Sequence, residues 1–277
     1  MTRAPVRAAA DRSGAASPGR LGSPASLSAL GVRRAGRPHG YPGRGLHGGV
    51  LDELGAQLVA GWVMPGGALP TEADLASELQ VSRTVIREAL RVLAAKGLVD
   101  ARPMLGTRVR PRDQWHLLDA DVLAWRIAAE GEAAVLRELL EIRLLVEPAV
   151  AALAARRQLA PEELLAAHGA MVDAADDEER FVEADLRFHA ALLAGTGNAS
   201  LRQLYAAIGA ALRLARTVQV RGARGAGRRA REALPAHRAV LDAIRAGDSA
   251  GAEAAMRTVV EGAARDAEAA IAGRAER

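Results

Sequence analysis

The stretch ADLRFHAALL, residues 184–193, places Asp185 and His189 four residues apart in a run that is otherwise mostly apolar. Residues at this spacing share one face of a helix, where a carboxylate and a neutral imidazole can ligate one divalent cation. His237, in PAHRAVLDAI, is followed by apolar residues three, four and seven positions later, which mark its face as buried. These three side chains are candidate metal ligands. The alternative is a hydrogen bond from His189 to Asp185 without a metal, in which case protonated His189 and His237 would receive an anionic ligand directly.

Arg143, in ELLEIRLLVEP, is a charged residue within a strongly apolar helical pattern. A guanidinium that faces a cavity can clamp a carboxylate through two parallel hydrogen bonds. Glu147 lies one helical turn further on, so the spacing fits an ion pair within the helix equally well. The sequence leaves both interpretations open: a residue that binds a small carboxylate effector, or an internal ion pair.

Composition restricts the class of protein. The 277 residues include no cysteine, which excludes disulfides, thiolate metal sites and cysteine nucleophiles. No apolar run approaches the roughly 18–20 residues of a membrane span, and no apolar signal segment follows the N-terminal arginines. We therefore predict a cytoplasmic, nucleoid-associated protein with no membrane partner. Abundant Ala, Leu and Arg, with only 3% aromatic residues, favour a mainly α fold.

The elements that must position the candidate ligands are helices. From about Leu117 onward the apolar residues recur with helical periodicity, interrupted by Gly- and Pro-containing stretches. This pattern predicts an all-α bundle in which each helix buries one face. The predicted helices cover 117–129, 132–158, 161–175, 178–194, 199–221, 227–246 and 249–273.

The preceding region has a different pattern. A first helix ends at PGGALP, Thr71 is suited to cap a second, and Ser82 is suited to cap a third that ends at Gly97. Two short β-prone segments, 98–102 and 107–111, then predict a hairpin. Three helices followed by a hairpin form the outline of a winged helix-turn-helix.

The third helix has two distinct faces. Arg83, Arg87 and Arg91 recur every fourth residue beside Thr84, on a face separate from the apolar stripe. Such side chains near a helix N-terminus can reach base edges and phosphates in a DNA major groove. The alternative is an ordinary solvated cationic face, but the adjoining helix and hairpin favour DNA binding. The apolar stripe comprises Ile86, Ala89, Leu90 and Leu93.

Residues 1–45 form a separate basic leader. They contain eight arginines and one acidic residue, Asp11, and are rich in Gly, Pro, Ser and Ala. This composition predicts disorder. The leader is either a basic arm that adds nonspecific DNA affinity or translated sequence upstream of the native start.

Residues 69–109, LPTEADLASELQVSRTVIREALRVLAAKGLVDARPMLGTRV, resemble the DNA-binding module of the GntR family of bacterial transcription regulators. The resemblance implies that Arg83, Thr84 and Arg87 contact bases and phosphates from the recognition helix. Arg91 extends the same face, and Gly106 and Thr107 would lie at the wing.

Two positions depart from the GntR pattern. Ala73 replaces an arginine that family members often carry in the second helix, and Met104–Leu105 replaces a glycine or basic wing tip. Fewer polar groups at these positions imply a weaker grip on phosphates or a different sequence preference.

The stretch DQWHLLDADVLAW, residues 113–125, together with the helical C-terminal half, resembles the FadR-type subfamily with its FCD effector domain. Its W-x-L-L-D-x-D-V-L-x-W element is similar to that of members that respond to sugar acids such as galactonate. Glu141, Arg143 and Glu147 match the E-x-R-x-x-x-E element of FCD domains. Asn198 matches a family asparagine implied in effector binding, although its position before a helix also suits an N-cap.

The same resemblance implies a metal site. Metal-binding FCD domains use one aspartate and three histidines, and Asp185, His189 and His237 match the first three. Val259 stands where the fourth ligand is expected. Zinc or nickel held by three protein ligands, with water or an effector carboxylate completing the shell, remains compatible with this set.

These observations give a complete set of expectations. We predict a basic leader (1–45), a winged helix-turn-helix domain (46–112) and an all-helical effector-binding and dimerisation domain (113–277). The function expected is a homodimeric repressor, not an enzyme, that binds an operator in double-stranded DNA and is released by a small organic acid. The alternatives are an all-helical metal-dependent enzyme and an architectural DNA binder without an effector.

Overall fold

The computed structural model describes residues 46–102, 106–158, 160–219 and 226–275. The predicted leader and the wing-tip residues Met104 and Leu105 lie outside the described residues. Within the described ranges the chain forms ten α-helices and one two-stranded sheet, which confirms the mainly α fold. No helix in these ranges is long and apolar enough to cross a membrane.

The N-terminal module begins with three helices whose ends are set by caps. The Thr71 side chain accepts a hydrogen bond from the Asp74 N–H, and the Asp74 carboxylate accepts one from the Thr71 N–H, both at 3.2 Å. The Ser82 hydroxyl accepts a hydrogen bond from the Val85 N–H at 3.3 Å. Both predicted caps are confirmed, and Gly97 follows the third helix with a φ of +80°. The helices are α1 (Leu46–Val59), α2 (Glu72–Glu78) and α3 (Arg83–Ala95).

A β-hairpin follows α3 and forms the wing, as predicted. Its strands, β1 (Val99–Arg102) and β2 (Gly106–Val109), pair in antiparallel register. The segment before α2 joins this sheet, because the Leu69 N–H donates to the Thr107 carbonyl at 2.8 Å. Backbone hydrogen bonds therefore hold the wing against the start of the helix-turn-helix.

The C-terminal half contains only helices in its described part, and the bounds agree with those predicted to within three residues. The first of them begins at Ala120 rather than 117 because the Asp119 carboxylate caps it, accepting hydrogen bonds from the Asp121 and Val122 N–H groups. A short 3₁₀ turn covers Arg112–Gln114. The helices are α4 (Ala120–Glu130), α5 (Glu132–Arg156), α6 (Glu162–Asp173), α7 (Glu178–Gly195), α8 (Ala199–Gln219), α9 (Ala226–Ala246) and α10 (Ser249–Ala275).

Helix α4 contacts both halves of the molecule. Its Trp125 ring packs directly over Gly55 of α1, and the indole N–H donates to Asp52 at 3.3 Å. Leu123, on another face, packs into a cluster of residues from α5, α7, α8 and α10. The predicted boundary after residue 112 assigns α4 to the helical domain and stays a prediction, because α4 shares the core of each module.

Lys96, at the end of α3, forms ion pairs with residues at the start of α4. Its ammonium lies 2.7 Å from Asp119 Oδ1 and 2.8 Å from Asp121 Oδ2, and only 11% of its side chain is exposed. Burial alone would lower the pKa of Lys96, but the two aspartates outweigh it and raise the pKa. The charged form is therefore favoured, and the contact links the predicted recognition helix to the helical half.

Helix α5 lies at the centre of the helical half. It packs against α10 along much of its length and also against α7, α8 and α9. A core of small and apolar residues from α5, α6, α7, α9 and α10 surrounds Phe188 and Met171, both fully buried. This packing brings α5, α7, α9 and α10 around one interior space.

Candidate functional site

A cavity of about 290 Å³ lies between α5, α7, α9 and α10. Four of the polar side chains that line it are nearly inaccessible to solvent, with exposed fractions between 0% and 5%. Burying so many ionisable groups is costly unless they are paired or bind a ligand. The four are Arg143 from α5, Asp185 and His189 from α7, and His237 from α9.

The structure brings the three predicted metal ligands together. Asp185 Oδ1 lies 3.7 Å from His189 Nε2 and 3.1 Å from His237 Nε2. One ligand atom from each residue lies within 4.8 Å of the other two. These separations are compatible with all three atoms binding one ion at about 2.0–2.2 Å.

The orientation of His237 identifies which of its nitrogens is available. Its Nδ1 lies 2.9 Å from the Ala233 carbonyl oxygen, and because a carbonyl only accepts, Nδ1 must carry a proton. Nε2 then faces Asp185 Oδ1 at 3.1 Å. Two atoms with lone pairs repel at this distance unless a cation lies between them, either a second ring proton or a metal ion. The arrangement therefore fits either an ion pair of His237 with Asp185 or a metal ion shared by the two side chains.

Of the two interpretations of Arg143, the structure contains the ion pair with Glu147, and binding of a carboxylate effector stays a prediction. Arg143 Nε donates to Glu147 Oε1 at 2.7 Å, which is the ion pair expected from the spacing. The same guanidinium lines the cavity, and its Nη1 has no hydrogen-bond partner among the described residues. An unsatisfied buried cationic donor is unfavourable, so a ligand that accepts a hydrogen bond there would relieve the cost.

Glu147 contacts His189 as well as Arg143. Its Oε2 lies 2.8 Å from His189 Nδ1. Burial raises the pKa of Glu147, but Arg143 and then His189 outweigh burial and lower it to about 2. For His189, burial lowers the pKa, and Glu147 reverses that effect so that the net direction is upward. Glu147 is thus a buried carboxylate that contacts Arg143 on one side and His189 on the other.

His189 uses both of its ring nitrogens within the protein. Arg143 Nη2 lies 2.9 Å from Nε2, and because a guanidinium only donates, that nitrogen accepts. The ring proton then lies on Nδ1, toward Glu147. A metal at Nε2 would need Arg143 Nη2 to move aside.

The residues present fit a three-ligand metal site. Val259, which is 6% exposed, lines the same cavity and offers no donor atom. A metal held by Asp185, His189 and His237 would therefore keep coordination positions open to a small molecule, as in sites that bind ligands rather than purely structural ones.

Sequence reasoning missed two features of this site. It gave Glu147 as an ion-pair partner of Arg143 and as part of the E-x-R-x-x-x-E element, but it did not foresee that Glu147 also contacts His189. It overlooked Tyr205 of α8, whose ring stacks on His189 with the centroids 6.2 Å apart. Tyr205 is one of two tyrosines in the chain, and an aromatic residue within an alanine-rich helix was the available signal.

Asn198 lies elsewhere. Its Oδ1 accepts hydrogen bonds from the Ser200 and Leu201 N–H groups at 3.0 and 3.2 Å, so it caps α8. It is not one of the residues that line the cavity.

The predicted DNA-binding residues form a solvent-facing surface on α3. Arg83 and Thr84 are exposed, and the side chains of Arg87 and Arg91 are 70% and 79% exposed. All four residues of the predicted apolar stripe are buried on the opposite face. Gly106 is also exposed, while Thr107 is half-buried at the start of β2.

Two of these arginines pair with acidic residues. Arg87 contacts Glu72 of α2 through Nε and Nη2, the latter at 2.7 Å. Arg91 makes one contact with Glu88 at 3.2 Å. The hydrogen bonds from Arg87 are the largest influence on the pKa of Glu72 and lower it, so the carboxylate is charged.

Comparison with known proteins supports two modules at these positions. Residues 46–109 match the family described as "Bacterial regulatory proteins, gntR family", and residues 138–262 match the FCD domain. The Galactonate operon transcriptional repressor of Escherichia coli (strain K12) is 38% identical over 218 residues, covering 78% of this chain and 94% of the relative. The chain belongs to the GntR family. It is a DNA-binding transcriptional regulator of the FadR-like subfamily, and its FCD domain is the effector-binding domain.

Other relatives extend the comparison. The HTH-type transcriptional regulator LutR of Bacillus subtilis (strain 168) is 31% identical over 202 residues, covering 71% of this chain and 89% of LutR. A solved structure described as "Lar controls the expression of the Listeria monocytogenes agr system and mediates virulence" aligns with a TM-score of 0.56 and 19% identity, over 82% of this chain and 99% of that one. At this identity the structural likeness concerns the fold alone.

Proposed function

We propose that this GntR-family regulator is a repressor that leaves its operator when a small organic acid, such as a sugar acid, binds the cavity. One observation carries the proposal: the same chain presents an arginine face on α3 and forms a cavity lined by buried Arg143, whose Nη1 has no hydrogen-bond partner among the described residues. The arginine face can contact DNA, and the cavity can bind an anion through Arg143. The galactonate repressor that the chain resembles supports the choice of ligand class.

In the proposed complex α3 enters the major groove. Arg83, Thr84 and Arg87 would contact base edges and phosphates near the helix N-terminus, and Arg91 would reach the backbone. The wing, beginning at Gly106 and Thr107, would contact an adjacent groove. A homodimer would place two recognition helices in successive major grooves of a palindromic operator.

In the cavity Arg143 would receive the acid. Its Nη1 offers the donor that a carboxylate oxygen requires, and Glu147 keeps the rest of the guanidinium oriented. An effector contact by Asn198 remains a prediction that its capping position does not favour.

Asp185, His189 and His237 would hold a divalent metal, zinc or nickel, at the same cavity. When bound, the ion would supply a positive charge and open coordination positions for a carboxylate or hydroxyl oxygen. The Nδ1–H of His237 donates to the Ala233 carbonyl, and His189 Nδ1 lies 2.8 Å from Glu147 Oε2, so each imidazole has a neighbour of the kind that orients metal-binding histidines.

Regulation requires that the acid bind one domain arrangement more tightly than the other. Helix α5 carries Arg143 and adjoins α4, and α4 contacts α1 and, through Lys96, the end of α3. A shift of α4 would therefore change the placement of the arginine face. These contacts are the proposed route between the two sites.

Selection of bound fragments from a random-sequence duplex pool, followed by titration of the enriched duplex, tests the proposal. Binding should weaken when D-galactonate or a related sugar acid is added, and wild-type protein stripped of metal should respond less. Enrichment of a duplex that no acid releases would instead support an architectural DNA binder. Turnover of an acid in the presence of metal would support the metal-dependent enzyme.

A further inference from the structure

The acidic residue Glu72 occupies the DNA-facing surface beside the recognition helix. It is the first residue of α2, it lies 15 positions before Arg87, and its side chain is 36% exposed. Arg87 Nε lies 3.2 Å from each carboxylate oxygen, and Nη2 lies 2.7 Å from Oε2. The carboxylate therefore holds one edge of the planar guanidinium, and among the described residues no hydrogen bond holds Nη1.

A carboxylate in this position opposes DNA binding, because it repels phosphates and neutralises a neighbouring cation. Its contribution to folding is small, since exposed ion pairs contribute little to stability. The cap of α2 does not need it either, because Thr71 and Asp74 already form the capping box. Glu72 is also attracted to Arg83, but its hydrogen-bonded contact is with Arg87.

We infer that Glu72 is a positioning residue that determines sequence specificity. It fixes the guanidinium of Arg87 so that the Nη1 edge meets one base, and its negative charge weakens the attraction of Arg87 to phosphates at other sites. The inference rests on the proposed groove contact of Arg87. A flexible arginine would lose rotamer freedom on reaching a base, whereas an arginine held on one edge has lost it already. Specific binding is then favoured relative to nonspecific binding.

The neighbouring pair of Glu88 and Arg91 provides a matched control. It has the same two charges, but both of its residues lie on α3, it makes a single contact at 3.2 Å, and its residues are 51% and 79% exposed. Removal of the negative charge of Glu72 or of Glu88 should strengthen nonspecific DNA binding to the same extent. Only removal of Glu72 should also release the orientation of an arginine.

The experiment measures the ratio of dissociation constants for a mixed-sequence duplex and for the enriched duplex of the same length, by fluorescence anisotropy at several salt concentrations. We expect Glu72→Gln to lower this ratio about five- to tenfold, which is within the range that one base contact supplies. We expect Glu88→Gln to leave it within about twofold. For both variants the log–log salt dependence of nonspecific binding should steepen by about one ion.

Two further variants distinguish the effect of where the Glu72 carboxylate lies from the effect of its charge. Glu72→Asp retains the charge but shortens the side chain by one methylene, so it should lower the ratio without altering the salt dependence of nonspecific binding. In an Arg87→Ala background, Glu72→Gln should have no further effect on the ratio, because the residue it positions is gone. Thermal melting of every variant records that the fold is retained.

The outcomes distinguish this inference from the proposed function. The positioning role is overturned if the ratio of dissociation constants falls equally in Glu72→Gln and Glu88→Gln. It is also overturned if Glu72→Gln still lowers this ratio in the Arg87→Ala background. Neither result contradicts the groove contact of Arg87. If Arg87→Ala leaves the ratio of dissociation constants unchanged, both the groove contact of Arg87 and the positioning role of Glu72 are overturned. A fall confined to the Glu72 variants and Arg87→Ala supports the inference.

Discussion

Close contact between α1 and α4 predicts that Gly55→Ala will destabilise the protein. Within a helix this substitution ordinarily stabilises by about 0.5–1 kcal/mol, because glycine loses more backbone freedom on folding. Here the added Cβ would lie 2.5–2.6 Å from three atoms of the Trp125 ring. The ring is 2% exposed and its N–H is held by Asp52, so it has little room to move. Overpacking of this kind costs roughly 1–3 kcal/mol, so after the propensity gain is subtracted the net loss is up to about 2.5 kcal/mol.

Gly49→Ala is the matched control, because Gly49 lies in the same helix and, among the described residues, nothing outside the adjoining helix backbone lies within 4 Å of the position its Cβ would take. It should gain up to about 1 kcal/mol from helix propensity alone. Urea unfolding followed by tryptophan fluorescence gives both free energies of unfolding. If Gly55→Ala proves as stable as Gly49→Ala, then Trp125 is not confined against α1, and α4 does not join the two modules as described.

Three other substitutions test the two proposed sites. Arg87→Ala should cost on the order of 1–3 kcal/mol of specific operator binding, and an unchanged affinity in a gel shift would remove Arg87 from the interface. Val259→His should raise zinc affinity measured by calorimetry, since it adds an imidazole to the cavity wall; an unchanged affinity would mean that this position does not face the metal ligands. Glu147→Gln should destabilise by roughly 3–5 kcal/mol because it removes the carboxylate that is hydrogen-bonded to the buried Arg143. By contrast, Glu183→Gln, at an exposed ion pair with Arg213, should cost less than about 1 kcal/mol. Equal effects of the last two in urea unfolding would contradict the buried pair.

The sequence determined the local structure of this protein. Periodicity of apolar residues located the helices, and capping residues such as Thr71 and Ser82 set their beginnings, because these signals act over one or two turns. The same locality placed Asp185 and His189 on one face and the arginines of α3 on another. The family resemblance then gave the order of the two modules.

Tertiary structure decided how those helices meet. The approach of His237 to Asp185, the second contact of Glu147 with His189, and the stacking of Tyr205 join residues from four helices, so no local spacing encodes them. The same holds for the contact of Glu72 with Arg87, which depends on the angle between α2 and α3. Packing of buried side chains across helices sets those angles, and a chemical site made from several helices therefore exists only once that packing is complete.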